Sequence, residues 1–258
     1  LASDNYNFDD FGLISIMYHR FNENKYPSTN IQIDVFKEQL KVIEREKIKF
    51  IHPKNFEKSL LENKDQRKIL FTVDDGLLSF YQNAWPILKK KKIPFILFVN
   101  TREVGSYNYM NWEQILELYK DENVEIGNHS HSHDYLVEEN PETIKKDIVK
   151  SINIFEDKLG QNSKFFSYPF GEYSLEFKKI IKDLGFKYAF GQHSGVIDET
   201  KDLWELPRFP INEKYGEIKR FSTLMKTLPL KFKKILPEDR YLLQSKNPPK
   251  VNIEFYEN

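Results

Sequence analysis

The sequence contains no cysteine. Disulfide bonds and thiolate metal ligands are therefore excluded, and any metal ion must be held by histidine, carboxylate or water. Without cysteine, the sequence gives no information about the redox compartment in which the protein works.

The sequence also lacks a long apolar run. No stretch approaches the ~18 to 20 apolar residues of a membrane span, and the N-terminus has no apolar signal-peptide core. We therefore expect a soluble chain with no membrane span. The first residue is Leu1 rather than methionine, which leaves open the removal of a leader or anchor before this residue.

Net charge is absent as well, because 39 lysines and arginines balance 39 aspartates and glutamates. This balance does not favour nucleic acid or an anionic membrane as the partner. The basic run KKKK at 89–92 is interpreted as a solvated helix end. We also find no internal repeat and no low-complexity segment.

Short β-rich runs alternate with amphipathic helical stretches along most of the chain. Strands are predicted at 12–19, 48–51, 68–73, 94–100, 124–128, 165–169, 187–191 and 205–211. Helices are predicted at 34–46, 54–62, 79–91, 112–120, 141–159, 174–184 and 214–226. Repeated β-α units predict an α/β fold with a mostly parallel sheet, either open or closed into a barrel.

The C-terminal part has a different character. From about residue 228 the helical periodicity is lost, prolines accumulate, and the chain ends in the alternating run VNIEFY. We therefore predict a main domain over 11–227, and a β-like extension or the start of a truncated β module over 228–258.

Two adjacent carboxylates follow a predicted buried strand. In KILFTVDDG, Asp74 and Asp75 come directly after the apolar run and before Gly76. Parallel α/β folds place their active sites at this end of the strands. Successive residues point in different directions, so one carboxylate can hold a metal ion while the other faces substrate or water. The alternative is a structural turn with a capping aspartate.

Three histidines follow another predicted strand, in IGNHSHSHDYL. The spacing of His129 and His133 predicts that their imidazoles meet over one helical turn. Two imidazoles and one aspartate form a ligand set that leaves positions open for water and substrate, as in catalytic metal sites. An exposed histidine-rich turn without metal is the alternative.

With these motifs in place, the chain resembles the polysaccharide deacetylases of carbohydrate esterase family 4 over roughly residues 11–226. TVDDG at 72–76 is similar to the first family motif, with Val73 in place of phenylalanine, and HSHSH at 129–133 fits the second. The resemblance implies a distorted (β/α) barrel and a divalent metal ion, expected to be zinc. It implies Asp74 as catalytic base, Asp75, His129 and His133 as metal ligands, and Ser130 as support for the turn; His131 is assigned no role.

The third motif departs from the commonest family pattern. SYPFGEY at 167–173 has Ser167 where an arginine usually steadies the base, and Arg208 in ELPRFPI is the candidate replacement. This arrangement resembles the branch of bacterial poly-β-1,6-N-acetylglucosamine deacetylases, in which the histidine of MYHR, His19, matches the general acid. The alternatives are a surface ion pair for Arg208 and a buried structural role for His19.

The resemblance implies hydrolysis of N-acetyl groups on an N-acetylglucosamine-containing polysaccharide, with release of acetate, outside the cytoplasm in the cell envelope or secreted. A backbone N–H near Phe170 is expected to stabilise the oxyanion. Phe170 and nearby aromatic residues are candidates for sugar contact: Tyr168, Tyr173, Trp204 and Trp112. Two other functions stay open, namely a noncatalytic carbohydrate-binding protein on the same fold and a metal hydrolase of another acetyl ester or amide.

Overall fold

The computed structural model describes residues 10–242 and 248–255. Within these residues the α-helices are α1 (Ile33–Arg45), α2 (Phe56–Leu61), α3 (Trp85–Lys91), α4 (Trp112–Tyr119), α5 (Pro141–Leu159), α6 (Leu175–Asp183) and α7 (Ile218–Leu224). Short 3-10 turns cover Pro53–Asn55, Leu136–Glu138 and Pro169–Gly171, and a π-helical turn, Phe80–Ala84, precedes α3.

The strands of the main sheet are β1 (Leu13–Tyr18), β4 (Lys49–Phe50), β5 (Lys68–Val73), β6 (Phe95–Val99), β7 (Val124–Asn128), β8 (Phe165–Ser167), β9 (Tyr188–Phe190), β10 (Val196–Ile197) and β11 (Phe209–Pro210). Two small sheets pair β2 (Arg20–Phe21) with β3 (Asn30–Ile31), and β12 (Lys234–Leu236) with β13 (Asn252–Glu254).

Six strands of the main sheet form a curled, parallel array with the order β1-β5-β6-β7-β8-β9, and β10 pairs with β1 as an antiparallel strand on the other side. The segment 206–210 joins the two ends of this array, because Leu206 bridges to Phe190 of β9 and Phe209 pairs with Ile16 of β1. This confirms the predicted α/β fold as a distorted (β/α) barrel. The closing segment also brings residues near position 208 beside the first strands of the barrel.

Local sequence signals explain where the elements begin and end. Every residue of β5 is buried, as expected for a strand covered on both faces in a parallel sheet. Helix α5 begins after Asn140, whose side chain accepts from the Thr143 N–H, has Pro141 in its first turn, and ends at Gly160 with φ of 78°. These are the residue types that favour the start and the end of a helix.

Two predicted elements differ from the structure in extent. Only Phe209–Pro210 of the predicted strand 205–211 is a strand, because the rest of the segment crosses from β9 to β1 instead of running along one neighbour. The predicted helix 214–226 is confined to Ile218–Leu224, preceded by a turn in which Asn212 Oδ1 accepts from the Tyr215 N–H at 2.8 Å.

The C-terminal residues form the antiparallel pair β12–β13, in which Ile235 lies opposite Ile253. Their link to the barrel includes polar contacts, such as Tyr241 Oη donating to Glu138 at 3.0 Å. The division of the chain at 227/228 stays a prediction. Among the described residues, no helix has the length and apolar character needed to cross a membrane.

Candidate metal-dependent active site

The predicted catalytic and metal-binding residues lie at one edge of the barrel. Asp74 and Asp75 follow β5, His129 follows β7, and Ser167 ends β8. These strands are parallel, so their carboxyl ends meet at the same edge. The neighbouring position on β1 is His19, since the Asp74 N–H donates to the carbonyl of Tyr18 at 2.9 Å.

The two adjacent aspartates separate because the chain turns sharply after β5. Asp75 has φ of 77° and Gly76 has φ of 68°, and such left-handed values are unusual for a residue with a side chain. Asp74 is fully buried, whereas the side chain of Asp75 keeps 16% of its surface exposed. One carboxylate therefore faces the barrel interior and the other faces its mouth.

Asp75, His129 and His133 form a compact cluster. Asp75 Oδ1 lies 3.5 Å from Nε2 of each histidine, and one ligand atom from each residue lies within 4.8 Å of the others. Two imidazole nitrogens and a carboxylate oxygen are a donor set that suits a divalent ion such as zinc.

The hydrogen bonding of the cluster fits a metal ion. His129 Nδ1 lies 2.7 Å from the carbonyl oxygen of Ser167, so Nδ1 carries the proton and Nε2 is left with its lone pair. Both His129 Nε2 and Asp75 Oδ1 are buried without a hydrogen-bond partner among the described residues. Buried polar atoms are normally satisfied, and a cation between these two atoms would satisfy both.

The electrostatics point the same way. Burial acts to lower the pKa of His129, but Asp75 and Asp74 raise it above its ordinary value. Burial lowers the pKa of His133 to about 4, helped by repulsion from His129. The cluster therefore attracts positive charge at His129 Nε2 while His133 stays neutral, which is the form of imidazole that binds a metal.

The two histidines do not meet over a helical turn, so that prediction is wrong. Residues 129–133 form a loop in which Ser130 has φ of 67° and His133 has φ of 55°. Ser130 Oγ accepts from the His133 N–H at 3.0 Å, and Asp147 on α5 accepts from the His131 N–H at 2.8 Å. The ring centroids of His129 and His133 are nevertheless only 4.7 Å apart.

His131 is not part of the cluster. Its Nδ1 lies 2.8 Å from Thr101 Oγ1, on the loop after β6. Burial lowers its pKa, as does the positive charge of Lys150. His131 therefore belongs to the packing of the two loops around the site.

Arg208 forms a buried, bidentate ion pair with Asp74. Nη1 lies 2.7 Å from Asp74 Oδ1 and Nη2 lies 2.8 Å from Oδ2, with both side chains fully buried. Arg208 also donates to Thr72 Oγ1, Ser167 Oγ and the Gly191 carbonyl at 2.8 to 3.1 Å. These five bonds use all of the N–H donors of a guanidinium, so Arg208 is fixed and is not a surface residue.

Arg208 controls the charge of Asp74. Burial acts to raise the pKa of Asp74, but the charge and hydrogen bonds of Arg208, together with His129, hold it below its ordinary value. Asp74 Oδ2 lies 3.8 Å from His129 Nε2. An ionised carboxylate is therefore held beside the metal cluster.

Phe170 lies at the mouth of the site in a strained conformation, with φ of 57°. Its ring centroid is 4.8 Å from that of His133. The 3-10 turn closes its first bond from the Gly171 N–H to the Tyr168 carbonyl, so the Phe170 N–H has no acceptor within the turn.

Three aromatic candidates for sugar contact are placed unfavourably. Tyr168 is fully buried and donates to the Trp204 carbonyl at 2.9 Å, and Tyr173 is only 5% exposed. Trp204 lies at the amino end of β9, where its Nε1 donates to the Phe186 carbonyl. The burial and hydrogen bonds of these three rings therefore do not support the predicted sugar contact at the metal cluster. Trp112 packs against the core at the start of α4.

Ser167, Thr72 and Asp147 are site residues to which the sequence assigned no role. The Ser167 carbonyl orients His129, and its hydroxyl lies 3.2 Å from Asp74 Oδ2 and accepts from Arg208. The unusual serine in the third motif was the available signal, because a small residue there leaves room for Arg208. Nothing in the local sequence marks Asp147.

Comparisons with known proteins agree with this fold. The family model described as polysaccharide deacetylase matches residues 62–189. The chain is 28% identical over 226 residues to a poly-β-1,6-N-acetyl-D-glucosamine N-deacetylase of Staphylococcus aureus, covering 81% of this chain and 78% of that protein. The corresponding protein of Staphylococcus epidermidis is 27% identical over 205 residues, covering 74% and 69%.

Solved structures with the same fold include IcaB from Ammonifex degensii, with a TM-score of 0.76 and 25% identity over 84% of this chain and 97% of that one. The deacetylase PplD from Streptococcus pyogenes superimposes with a TM-score of 0.75 and 23% identity, covering 84% of this chain and 99% of that one.

Proposed function

This chain belongs to the polysaccharide deacetylase family, and we propose that it removes N-acetyl groups from an N-acetylglucosamine-containing polysaccharide and releases acetate. Curated relatives carry the name of poly-β-1,6-N-acetyl-D-glucosamine N-deacetylases and match this chain over most of their length. A β-1,6-linked polymer is therefore the first substrate to test.

The observation that carries this proposal is the position of Asp74 next to the cluster of Asp75, His129 and His133. A carboxylate held ionised by Arg208 lies 3.8 Å from His129 Nε2, a buried nitrogen that has no hydrogen-bond partner among the described residues. A noncatalytic binding protein would have no use for a base at this distance from the cluster. The pair therefore supports hydrolysis.

Asp75, His129 and His133 would hold the divalent ion, which we propose to be zinc because of the two nitrogen ligands and one oxygen ligand. When bound, the ion supplies Lewis acidity at the acetyl group. Asp74 accepts the proton of the attacking water, and Arg208 keeps its carboxylate ionised and oriented. In this proposal the Phe170 N–H donates to the oxyanion that develops on the acetyl oxygen.

His19 is the proposed general acid. It follows Tyr18 at the end of β1, and the Asp74 N–H donates to the Tyr18 carbonyl, so His19 lies at the same edge of the barrel as Asp74. Water adds to the acetyl carbon, the C–N bond breaks, and His19 donates the proton that lets the sugar leave as an amine. The products are acetate and a glucosamine residue, and we propose that this occurs outside the cytoplasm.

Acetate release tests the function. The substrates are a fully acetylated β-1,6-linked glucosamine oligosaccharide, its β-1,4-linked counterpart and an activated acetyl ester. We expect release from the β-1,6 oligosaccharide, loss after chelation, and recovery when zinc is added. Release from the ester alone would contradict the proposed substrate class.

Two variants test the metal ligands, with metal content as the readout. His133→Ala should lose the ion, whereas the matched variant His131→Ala should keep it. The opposite result would show that the ligand assignment is wrong.

His19→Ala tests the general acid. It should keep its metal and lose much more activity on the oligosaccharide than on the activated ester, whose leaving group needs less protonation. Equal losses on both substrates would mean that His19 only supports the site.

A further inference from the structure

Two exposed aromatic rings lie side by side at the mouth of the site. Phe170 is 49% exposed and Tyr135 is 40% exposed, and their ring centroids are 5.6 Å apart. Phe170 in turn lies 4.8 Å from the ring of His133. The three rings form a continuous row that starts at a metal ligand and leads outwards. We call Phe170 and Tyr135 the aromatic ledge.

The ledge is not explained by the stability of the core. Phe170 keeps a left-handed backbone conformation with φ of 57°, which is unfavourable for a residue with a side chain. About half of the surface of this residue nevertheless stays exposed to solvent. Strain of this kind persists where the surroundings impose it, and it is concentrated at functional sites.

The surroundings do impose it. Gly171 has φ of 75°, and a Cβ at this position would lie 2.3 Å from the side chain of Gln192. The turn therefore packs closely against the segment after β9, and Phe170, the residue before Gly171, contacts the ring of His133. Tyr135 stands on the loop after β7, two residues beyond His133, so the position of both rings is tied to the metal cluster.

We propose that the aromatic ledge is a sugar-binding subsite, in which Tyr135 stacks on the pyranose ring next to the residue that is deacetylated. This inference rests on the proposed function. The reacting N-acetyl group must reach Asp75 and His133, so its own sugar lies over Phe170. The next sugar along the polymer then lies over the ring of Tyr135. The C–H face of a pyranose is an apolar surface that matches an exposed aromatic ring.

The subsite makes a prediction about chain length. Tyr135→Ala should raise KM for an acetylated β-1,6-linked pentasaccharide by about three- to tenfold, the range typical of one aromatic contact, with little change in kcat. The activated acetyl ester is too small to reach Tyr135, so its hydrolysis should be unchanged. Tyr135→Phe is the matched control, because it keeps the ring and should behave as the unaltered protein.

The outcomes separate this inference from the proposed function. If the unaltered protein cleaves only the ester, the proposed function fails. If the unaltered protein is active on the pentasaccharide and Tyr135→Ala has the same KM, the subsite is refuted. Loss of activity in Tyr135→Phe, or an equal loss on the ester in Tyr135→Ala, also refutes it, since the hydroxyl or the integrity of the site would then be responsible.

Discussion

The two ends of strand β5 each hold a buried cation, and the two cations are compensated differently. At the carboxyl end, Arg208 meets the ionised carboxylate of Asp74 in a bidentate pair. At the amino end, Lys68 is 3% exposed and its Nζ donates to the main-chain carbonyls of Ser59 and Glu62. The cation at the carboxyl end is thus compensated by a carboxylate, and the cation at the amino end by the dipoles of two peptide groups.

The difference shows what each end is for. The carbonyls bound by Lys68 belong to the last turn of α2 and the residue that follows it, where a helix leaves acceptors unpaired and favours a cation. Burial lowers the pKa of Lys68. Its ammonium group nevertheless binds the two carbonyls, so Lys68 stabilises the end of the helix. At the carboxyl end, the ion pair helps to hold the pKa of Asp74, the proposed base, below its ordinary value. The following variants test this division, in order of decreasing effect on turnover.

Asp74→Asn should have the largest effect. It removes the proposed base with little change in shape, so turnover should fall by ~10² to 10⁴-fold. Metal content should be retained, because Asp75, His129 and His133 are untouched, and Asp75→Asn is the matched control that should lose the metal. Turnover and metal content would be measured for both variants. If Asp74→Asn lost the ion and Asp75→Asn kept it, the roles assigned to the two carboxylates would have to be exchanged.

Arg208→Met should lower turnover less and change its pH dependence. Arg208 holds the pKa of Asp74 below its ordinary value, so removing the guanidinium should raise that pKa. The base would then be protonated at higher pH, and the acidic limb of the rate profile should move to higher pH. Asp74 stabilises the fold at a pH above its unfolded-state pKa, and this contribution should shrink.

Arg208→Lys is the control for Arg208→Met. A lysine keeps the positive charge but cannot form the bidentate pair of a planar guanidinium. The acidic limb of the rate profile in Arg208→Lys should therefore lie between those of Arg208→Met and the unaltered protein. A rate profile that is identical in Arg208→Met and the unaltered protein would show that the pair has only a structural role.

Ser167→Ala should have a smaller effect on turnover. It removes one acceptor of Arg208 and one hydroxyl beside Asp74, and a hydrogen bond of this kind is worth about 1 kcal/mol, or roughly fivefold. The contact to His129 uses the main-chain carbonyl, so metal affinity should not change. A loss of metal in Ser167→Ala would mean that the hydroxyl, not the carbonyl, positions the cluster.

The sequence predicted most strands of the barrel, because short apolar runs mark them. It also predicted the edge of the barrel at which the site lies, because the polar residues of the motifs directly follow those runs. The barrel is confirmed, and the polysaccharide deacetylase model that matches residues 62–189 agrees with the predicted resemblance. The closing segment was not predicted correctly, because only two of its residues form a strand, Phe209–Pro210. The pairing of Arg208 with Asp74 bridges 134 residues, and the resemblance to a family, not local pattern, indicated Arg208.

Loops account for the other errors. The approach of His129 to His133 depends on left-handed residues such as Ser130, which no spacing rule reveals. Trp204 was chosen because it is close in sequence to a motif. In the structure its Nε1 donates to the Phe186 carbonyl at the amino end of β9, whereas the metal cluster lies at the carboxyl ends of the strands. Sequence patterns also did not indicate Tyr135, because its contact with Phe170 joins two loops that are distant in sequence.

Lys68→Met should have the smallest effect on turnover and a clear effect on stability. The long apolar side chain fills the space of Lys68 but leaves the carbonyls of Ser59 and Glu62 without their donor. Unsatisfied buried acceptors cost about 1 to 3 kcal/mol, so the free energy of unfolding measured with denaturant should fall by that amount. Lys49→Met is the matched control, because Lys49 pairs with Lys68 across β4 and β5 but is exposed, and such changes cost no more than about 0.5 kcal/mol. Turnover at a temperature where both variants are folded should equal that of the unaltered protein, since Asp74 at the other end of the strand keeps its partner. A lowered turnover in folded Lys68→Met would mean that the two ends of β5 are coupled and that the division between a stabilising end and a reactive end is wrong.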